Sequence, residues 1–107
     1  MQIEKFSTHK LCRWYLIHSL IYYQYNNSII TDEIFDEICK ELLTRIQNND
    51  KIPVEFKEHI KEENLIAGTG YDIYWNSVPQ RIKDCACILN SGKDFSGKEI
   101  NINDWLK

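Results

Sequence analysis

Long apolar runs and an excess of basic residues are both missing from this 107-residue sequence. No stretch approaches the roughly 18 apolar residues that cross a bilayer, and the opening MQIEKFSTHK lacks the apolar core of a secretion signal. Lys and Arg total 13 against 16 Asp and Glu, whereas a general nucleic-acid binder carries a basic stripe that neutralises phosphates. We therefore expect a cytoplasmic protein, with no membrane partner and no strong binding to nucleic acid.

The four cysteines are scattered along the chain, and their spacing gives no metal or redox signature. The close pair, Cys85 and Cys87, reads C-A-C and lacks the two-residue spacer of common zinc and dithiol motifs. Cys12 and Cys39 are isolated, and the three histidines show no paired ligand spacing. We expect reduced, buried thiols and no metal site.

Glycine and proline are also scarce, with four and two residues, while 43% of the sequence is hydrophobic. This composition and the helical spacing of the apolar residues predict a single, mainly α domain over residues 1–107. We expect an N-terminal antiparallel helical hairpin over 7–48. A short third helix, a GTGY loop and a further segment follow over 53–90, and a tail over 91–107 completes an irregular helical and loop C-terminal part.

The hairpin prediction depends on two start signals and one apolar stripe. Ser7 or Thr8 can cap a first helix, along which rings and apolar groups share a stripe at Leu11, Tyr15, His18 and Tyr22. Neighbouring rings widen this stripe, so the helix is either core on several sides or partly covered by a ligand, a partner or a second copy. After a turn at 26–28, Thr31 caps a second helix that runs to about Asn48.

The second half of the chain is less regular. Pro53 opens a third helix, PVEFKEHIKEE, which should end before Leu65 and whose single apolar edge is typical of a surface helix. The segment AGTGYDI predicts a loop or short strand, and RIKDCACILN fits either a short helix or a buried strand. Turn glycines at Gly92 and Gly97 precede EININDWL, an alternating or short helical end.

Two aspartates and two tyrosines form the candidate site. On a helical wheel Asp32 and Asp36 emerge about 40° apart, beside the apolar arc of the second helix. Capping and the helix dipole explain Asp32 and partly Asp36, and Tyr22 and Tyr23 can be ordinary amphipathic core residues. An antiparallel hairpin nevertheless sets these rings beside both carboxylates. Rings that stack next to carboxylates that accept from hydroxyls suit a nucleoside, above all one whose base is positively charged.

The same stretch carries a recognisable motif. It consists of the pair Tyr22-Tyr23, the turn at 26–28, the run TDEIFD at 31–36 and the pair E-L at 41–42. This motif resembles the N-terminal Ia domain of bacterial NAD-dependent DNA ligases, and it fits that pattern without a gap. The Ia domain recognises the nicotinamide mononucleotide half of NAD.

The resemblance implies a role for five residues. Tyr22, Asp32 and Asp36 carry over directly, so a ring stacks on the nicotinamide and the carboxylates contact the ribose and nearby groups. Tyr23 stands where the family has histidine, and Phe35 stands where it has tyrosine. Both substituted rings can still stack, but they change any hydrogen bond that the family makes through these two positions.

A longer resemblance is to small phage and prophage proteins related to NAD-dependent DNA ligase. It covers GTGY at 68–71, Pro79 and the small-residue run at 82–87. The backbone amides of GTGY could approach a phosphate, with Arg81 or Lys83 adding positive charge, or the segment could be a plain tight turn.

The functional expectation follows from what accompanies this motif. The chain has no adenylation domain, K-x-D-G nucleophile motif, OB-fold or zinc finger, so it is not expected to be a ligase or another enzyme, and it requires no cofactor. We expect a non-catalytic, phage-encoded binder of a nicotinamide nucleotide or other NAD-derived molecule, which sequesters a host defence signal. The alternative is an interaction protein that inhibits a host defence complex, such as a CRISPR or other nuclease system, with the hairpin as scaffold.

Overall fold

The structure is a computed structural model that describes residues 2–73 and 75–92. Within these residues the chain forms five α-helices, two short 3-10 turns and no β-strand. The helices are α1 (Thr8–Gln24), α2 (Asp32–Gln47), α3 (Val54–Lys57), α4 (Glu62–Ala67) and α5 (Gln80–Ser91), and the 3-10 turns span Ile3–Lys5 and Trp75–Ser77. The predicted mainly α fold is confirmed. The expected turn at Gly97 and the EININDWL end lie outside the described residues.

The hairpin of α1 and α2 begins where the sequence predicts because each helix carries its own cap. The Ser7 hydroxyl accepts from the Lys10 N–H at 3.1 Å, and the Thr31 hydroxyl accepts from the Ile34 N–H at 3.2 Å. Asn26 turns the chain between the helices with a φ of 51°, a left-handed conformation that asparagine tolerates better than most residues. Both helix starts are therefore set by local chemistry.

The two helices run antiparallel. Near the end of α2 the Arg45 guanidinium donates to the Thr8 hydroxyl at the start of α1 and to the Glu4 carbonyl, each at 3.1 Å. In the middle of the hairpin the rings of Tyr15 and Phe35 stack with centroids 5.8 Å apart. The end of α1 consequently lies beside the start of α2.

Helix α1 is the centre of the core. Leu11, Cys12 and every residue over 14–21 are buried, and α1 packs against both α2 and α5. The wide apolar stripe is therefore covered by the chain's own helices over this part of α1. Tyr22 and Tyr23 differ, because 51% and 42% of their surfaces remain exposed.

The predicted single helix over PVEFKEHIKEE is wrong. The segment forms α3 and α4 with a break between them, where Lys61 is extended at φ -114° and ψ 132°. The break lets Phe56 and His59 enter the interior, and α4 then continues past the predicted end and buries Leu65 against the core. Tertiary burial of these three side chains overrides the helical propensity of the intervening Lys and Glu residues.

The segment RIKDCACILN forms most of α5, and so takes the helical alternative. Its buried residues Ile82, Ala86 and Leu89 recur at i, i+4 and i+7 on one face of α5, which packs against α1. The expectation of buried thiols is confirmed for Cys12 and Cys39 and wrong for Cys87, which is exposed. All four cysteines are free.

Candidate functional site

A pocket of about 230 Å³ opens between the end of α1 and the start of α2. Its walls come from four parts of the chain: the last turns of α1, the inter-helix turn, the first turn of α2 and the loop after α4. The lining residues are His18, Tyr22, Tyr23, Ser28, Ile29, Ile30, Asp32, Phe35 and Gly68. The antiparallel hairpin creates this pocket, since it places the two helix ends side by side.

Four of the six residues predicted from the sequence line this pocket together: Tyr22, Tyr23, Asp32 and Phe35. Asp36 lies one turn further along α2, where its carboxylate pairs with Lys40 at 2.8 Å. A Cβ placed on Gly68 would lie 3.3 Å from the Asp36 Oδ1, so this carboxylate packs beside the pocket wall without lining it. One of the two predicted carboxylates is thus in the pocket, and the other is at its edge.

Arg81 does not line the pocket. It lies exposed in the first turn of α5, near Cys85. Burial raises the pKa of Cys85, and the positive charges of Arg81 and Arg13 oppose that rise. Both arginines therefore lie near this cysteine, and Arg13 belongs to the first half of α1, about 13 Å along the helix axis from Tyr22. The structure does not bring Arg81 to the tyrosines.

The aromatic part of the pocket has a defined geometry. The rings of Tyr22 and Tyr23 meet edge to face, with centroids 4.7 Å apart and planes at 77°. The Phe35 ring is supported by its stack on the buried Tyr15. The pocket therefore offers two partly exposed rings and one ring supported by the core, on which a flat group can stack.

The GTGY segment forms one wall of the pocket and is fastened to α1. The Tyr15 hydroxyl donates to the Thr69 carbonyl at 2.7 Å, and the hydroxyls of Tyr23 and Thr69 lie 2.6 Å apart in a second hydrogen bond. Gly68 ends α4 in the left-handed region, with φ of 69°, which glycine adopts without strain. These contacts hold Gly68 where it borders the pocket.

The same segment is a tight turn, and most of its backbone N–H groups already donate hydrogen bonds within the protein. The N–H of Gly68 donates to the Leu65 carbonyl, the N–H of Thr69 to the Asn64 carbonyl, and the N–H of Tyr71 to the Thr69 hydroxyl. Three of the four backbone donors of 68–71 are therefore engaged within the protein. This arrangement favours the tight turn over a phosphate cradle.

His18 is a pocket residue to which the sequence assigned no role. Only 5% of it is exposed, and its ring lies edge to face with Trp14 at 5.3 Å. The Nδ1 of His18 is buried and has no hydrogen-bond partner. Burial lowers the pKa of His18 to about 4, so the imidazole is neutral near pH 7. The only signal in the sequence was its place on the stripe with Tyr15 and Tyr22.

The inter-helix turn contributes lining residues that sequence reasoning also missed. Ile29 and Ile30 are half-buried and pack against the core, and Ser28 donates from its hydroxyl to the Ile30 carbonyl at 2.7 Å. The turn signal at 26–28 indicates only that the chain reverses. Which of the following side chains face the pocket is decided by the packing of the two helices.

The pocket combines ring faces, one carboxylate and one neutral imidazole. These groups can stack a planar ring, accept hydrogen bonds from hydroxyls and exchange one hydrogen bond with a polar ring substituent. Over residues 2–73 and 75–92, no group of three or more His, Cys, Asp and Glu side chains is placed to hold a metal ion. In the same part of the chain, no helix is long and apolar enough to span a membrane.

Replacing Tyr15 with phenylalanine should lower the free energy of unfolding by about 1–2 kcal/mol, because the Thr69 carbonyl loses its donor. The ring and its stack on Phe35 remain in the variant, so the loss of stability is due to the hydroxyl alone. Urea denaturation of wild type and variant measures the difference. Tyr71→Phe is the matched control, since 67% of Tyr71 is exposed, and it should leave stability unchanged. Equal stability of the two variants would contradict the role of this bond.

No protein-family model, curated protein or solved structure shows significant similarity to the chain.

Proposed function

We propose that the protein is a non-catalytic binder of a nicotinamide nucleotide or another NAD-derived molecule. The observation that carries this proposal is that Tyr22, Tyr23 and Phe35 line one pocket together with a carboxylate, Asp32. The motif that resembles the nicotinamide-reading ligase domain supplies the same residues. The pocket and the motif support the proposal independently, because the pocket is defined by geometry alone.

The chemistry of the pocket suits the nicotinamide half of such a ligand. The oxidised nicotinamide ring is flat and positively charged, and tyrosine faces attract cations through the ring quadrupole. Asp32 adds a negative charge and can accept from a ribose hydroxyl. At about 230 Å³ the pocket is smaller than the roughly 300–1,000 Å³ of sites that enclose a whole drug-sized ligand. It can hold a ring with its ribose, while a phosphate remains outside.

We infer binding without chemistry, because the pocket lining holds no pair of carboxyl groups. Hydrolysis of the O-glycosidic bonds between sugars generally uses two carboxyl groups that flank the bond. Here Asp36 is paired with Lys40 outside the lining of the pocket, which leaves Asp32 as the single carboxylate among the lining residues. A protein that only binds can still act in a cell, because an excess of binder lowers the free ligand concentration by mass action.

The proposed biological role is the sequestration of an NAD-derived defence signal by a phage-encoded protein. It rests on the resemblance to small phage proteins and on the proposed binding site. A sequestering protein must return its ligand intact. The test is to incubate the protein with cyclic ADP-ribose isomers, remove unbound nucleotide by gel filtration, denature the protein by heat, and analyse the released nucleotide by chromatography. Recovery of the unchanged isomer with the protein supports sequestration, and its conversion to linear ADP-ribose would indicate an enzyme.

The binding prediction can be tested by calorimetric titration with nicotinamide mononucleotide, NAD, ADP-ribose and cyclic ADP-ribose isomers. Replacement of Asp32 with asparagine or of Tyr22 with alanine should weaken binding about tenfold or more, since a charged hydrogen bond or a stacked ring contributes on the order of 1.5–3 kcal/mol. Glu33→Gln is the matched control for charge, because Glu33 is exposed in the same turn of α2 and does not line the pocket. Tyr71→Ala is the matched control for the ring.

Two outcomes would count against this proposal. No heat signal from any of these nucleotides at millimolar concentration would exclude the ligand class. An equal loss of affinity in Asp32→Asn and Glu33→Gln would place the ligand on a general acidic surface outside the pocket.

A protein-interaction role is the second candidate, and a specific surface favours it. Large exposed side chains surround the 68–70 loop: Tyr23 is bonded to it, Tyr22 touches Tyr23, and Ile66 and Tyr71 flank the loop in the chain. Exposed tyrosines are frequent binding hot spots in protein interfaces. Capture of a host nuclease complex that is lost in Ile66→Ala and Tyr71→Ala, but kept in Asp32→Asn, would support this role. The opposite pattern would support the small ligand.

A further inference from the structure

Three buried polar side-chain atoms lack a hydrogen-bond partner within the described part of the chain: Arg13 Nε, His18 Nδ1 and Ser19 Oγ. Ser19 is covered by the loop, since a Cβ on Gly70 would lie 2.8 Å from the Ser19 Cβ. Arg13 and Ser19 do not line the pocket, whereas His18 does. His18 is therefore the buried polar group that a ligand in this pocket can reach.

An imidazole that is neutral has one nitrogen that donates and one that accepts. A 180° rotation about its Cβ–Cγ bond exchanges the places of Nδ1 and Cδ2, so either edge of the ring can present a nitrogen to the pocket. The ring keeps its packing against Trp14 in both orientations, because its outline hardly changes. His18 can thus serve a ligand group that donates, accepts or does both.

The carboxylate that lines the pocket, Asp32, determines which kind of ligand substituent is favoured. Asp32 is a carboxylate, and it repels an anionic substituent in the same pocket. A carboxamide is uncharged and carries both a donor and an acceptor, so it can pair with His18 without that repulsion. A carboxylate on the same ring can accept from His18 but is opposed by Asp32.

We propose that His18 is the specificity residue of the pocket, which forms a hydrogen bond with a neutral polar substituent on the stacked ring and so selects a carboxamide over a carboxylate. This inference rests on the proposed binding function, and it names the ring substituent that the pocket recognises.

The test compares nicotinamide mononucleotide with nicotinic acid mononucleotide, which differ only in this substituent. By calorimetry the wild-type protein should bind the amide at least tenfold more tightly than the acid. His18→Phe keeps an aromatic ring and should lose most of this preference, and His18→Gln, which keeps a donor and an acceptor, should retain part of it. His9→Gln is the matched control, because His9 is half-exposed and outside the pocket.

A second measurement does not depend on whether the variants fold. In the wild-type protein, the imidazole ¹⁵N signals of His18 should shift on addition of nicotinamide mononucleotide, while those of His9 stay in place. If the amide binds and needs Asp32 and Tyr22, but the His18 signals do not move and the acid binds equally well, the inference is overturned and the proposed function stands. If neither mononucleotide binds, the proposed function is overturned and the inference falls with it.

Discussion

Replacement of Gly70 with alanine should destabilise the protein by about 3 kcal/mol and lower its melting temperature by roughly 10–20 °C. The new Cβ would lie 2.8 Å from the Ser19 Cβ and 2.9 Å from the Ile73 Cδ1, closer than carbon atoms approach. Ser19 sits on the buried face of α1 and cannot withdraw, so the loop must move away from the helix. The expected cost comes from this overpacking, and thermal denaturation followed by circular dichroism measures it.

The loop movement should also damage the pocket. Gly68 lines the pocket two residues before Gly70, and the adjacent Thr69 is bonded to both Tyr15 and Tyr23. A displaced loop would stretch both hydrogen bonds of Thr69 and move the pocket wall at Gly68. The proposed nucleotide binding should therefore weaken in Gly70→Ala even at temperatures where the variant remains folded.

Two further variants separate the steric explanation from a general effect of alanine. A Cβ on Gly92 would have no atom of the described residues within 4 Å, so Gly92→Ala should cost only about 1–2 kcal/mol, which is the strain of its left-handed φ of 70°. The new Cβ of Gly70→Ala would also meet the Ser19 Oγ, so Ser19→Gly removes both close atoms of Ser19 and should restore part of the stability of Gly70→Ala. A Gly70→Ala protein that melts within two or three degrees of wild type would contradict the close packing of loop and helix.

The hairpin could be predicted from the sequence because the signals that create it are local. Ser7 and Thr31 each bond an N–H three residues ahead, and the turn is closed by asparagine chemistry over a few residues. Once two helices with such caps are joined by a short loop, antiparallel packing is the geometric consequence. The meeting of Tyr22, Tyr23 and Asp32 at one end of the hairpin follows from that topology.

The remaining parts of the site could not be predicted, because contacts between distant residues decide them. Thr69 is joined to Tyr15 over 54 residues and to Tyr23 over 46, so the wall at Gly68 has no local signal. The break between α3 and α4 depends on burial of Phe56 and Leu65 against the core, which propensity does not encode.

The prediction for Arg81 shows the same limit. The sequence placed it near a phosphate because basic residues follow the GTGY segment, but the packing of α5 on α1 sends it toward Cys85 and Arg13. The sequence can indicate which residues share a face of α5. It cannot indicate the direction in which α5 crosses α1, and that direction decides where Arg81 lies.

Acid should destabilise this protein through His18 by about 3 kcal/mol between pH 7 and pH 4. Burial lowers the pKa of His18 from 6.5 to about 4 in the folded state. The unfolded chain therefore takes up a proton first, so falling pH favours unfolding throughout this window. The contribution of His18 is complete above about pH 6.5 and declines as the pH falls toward 4. Each tenfold difference in proton affinity corresponds to about 1.4 kcal/mol, which gives the expected size.

The measurement is the difference in unfolding free energy between wild type and His18→Gln, obtained by urea denaturation at several values between pH 7.5 and pH 4. Carboxylates also titrate in this range, but both proteins contain them, so their contribution cancels in the difference. Glutamine does not titrate, so the wild type should lose stability relative to His18→Gln as the pH falls. If the wild type and His18→Gln run parallel, the pKa of His18 is the same in the folded and unfolded states, and burial does not hold the imidazole neutral.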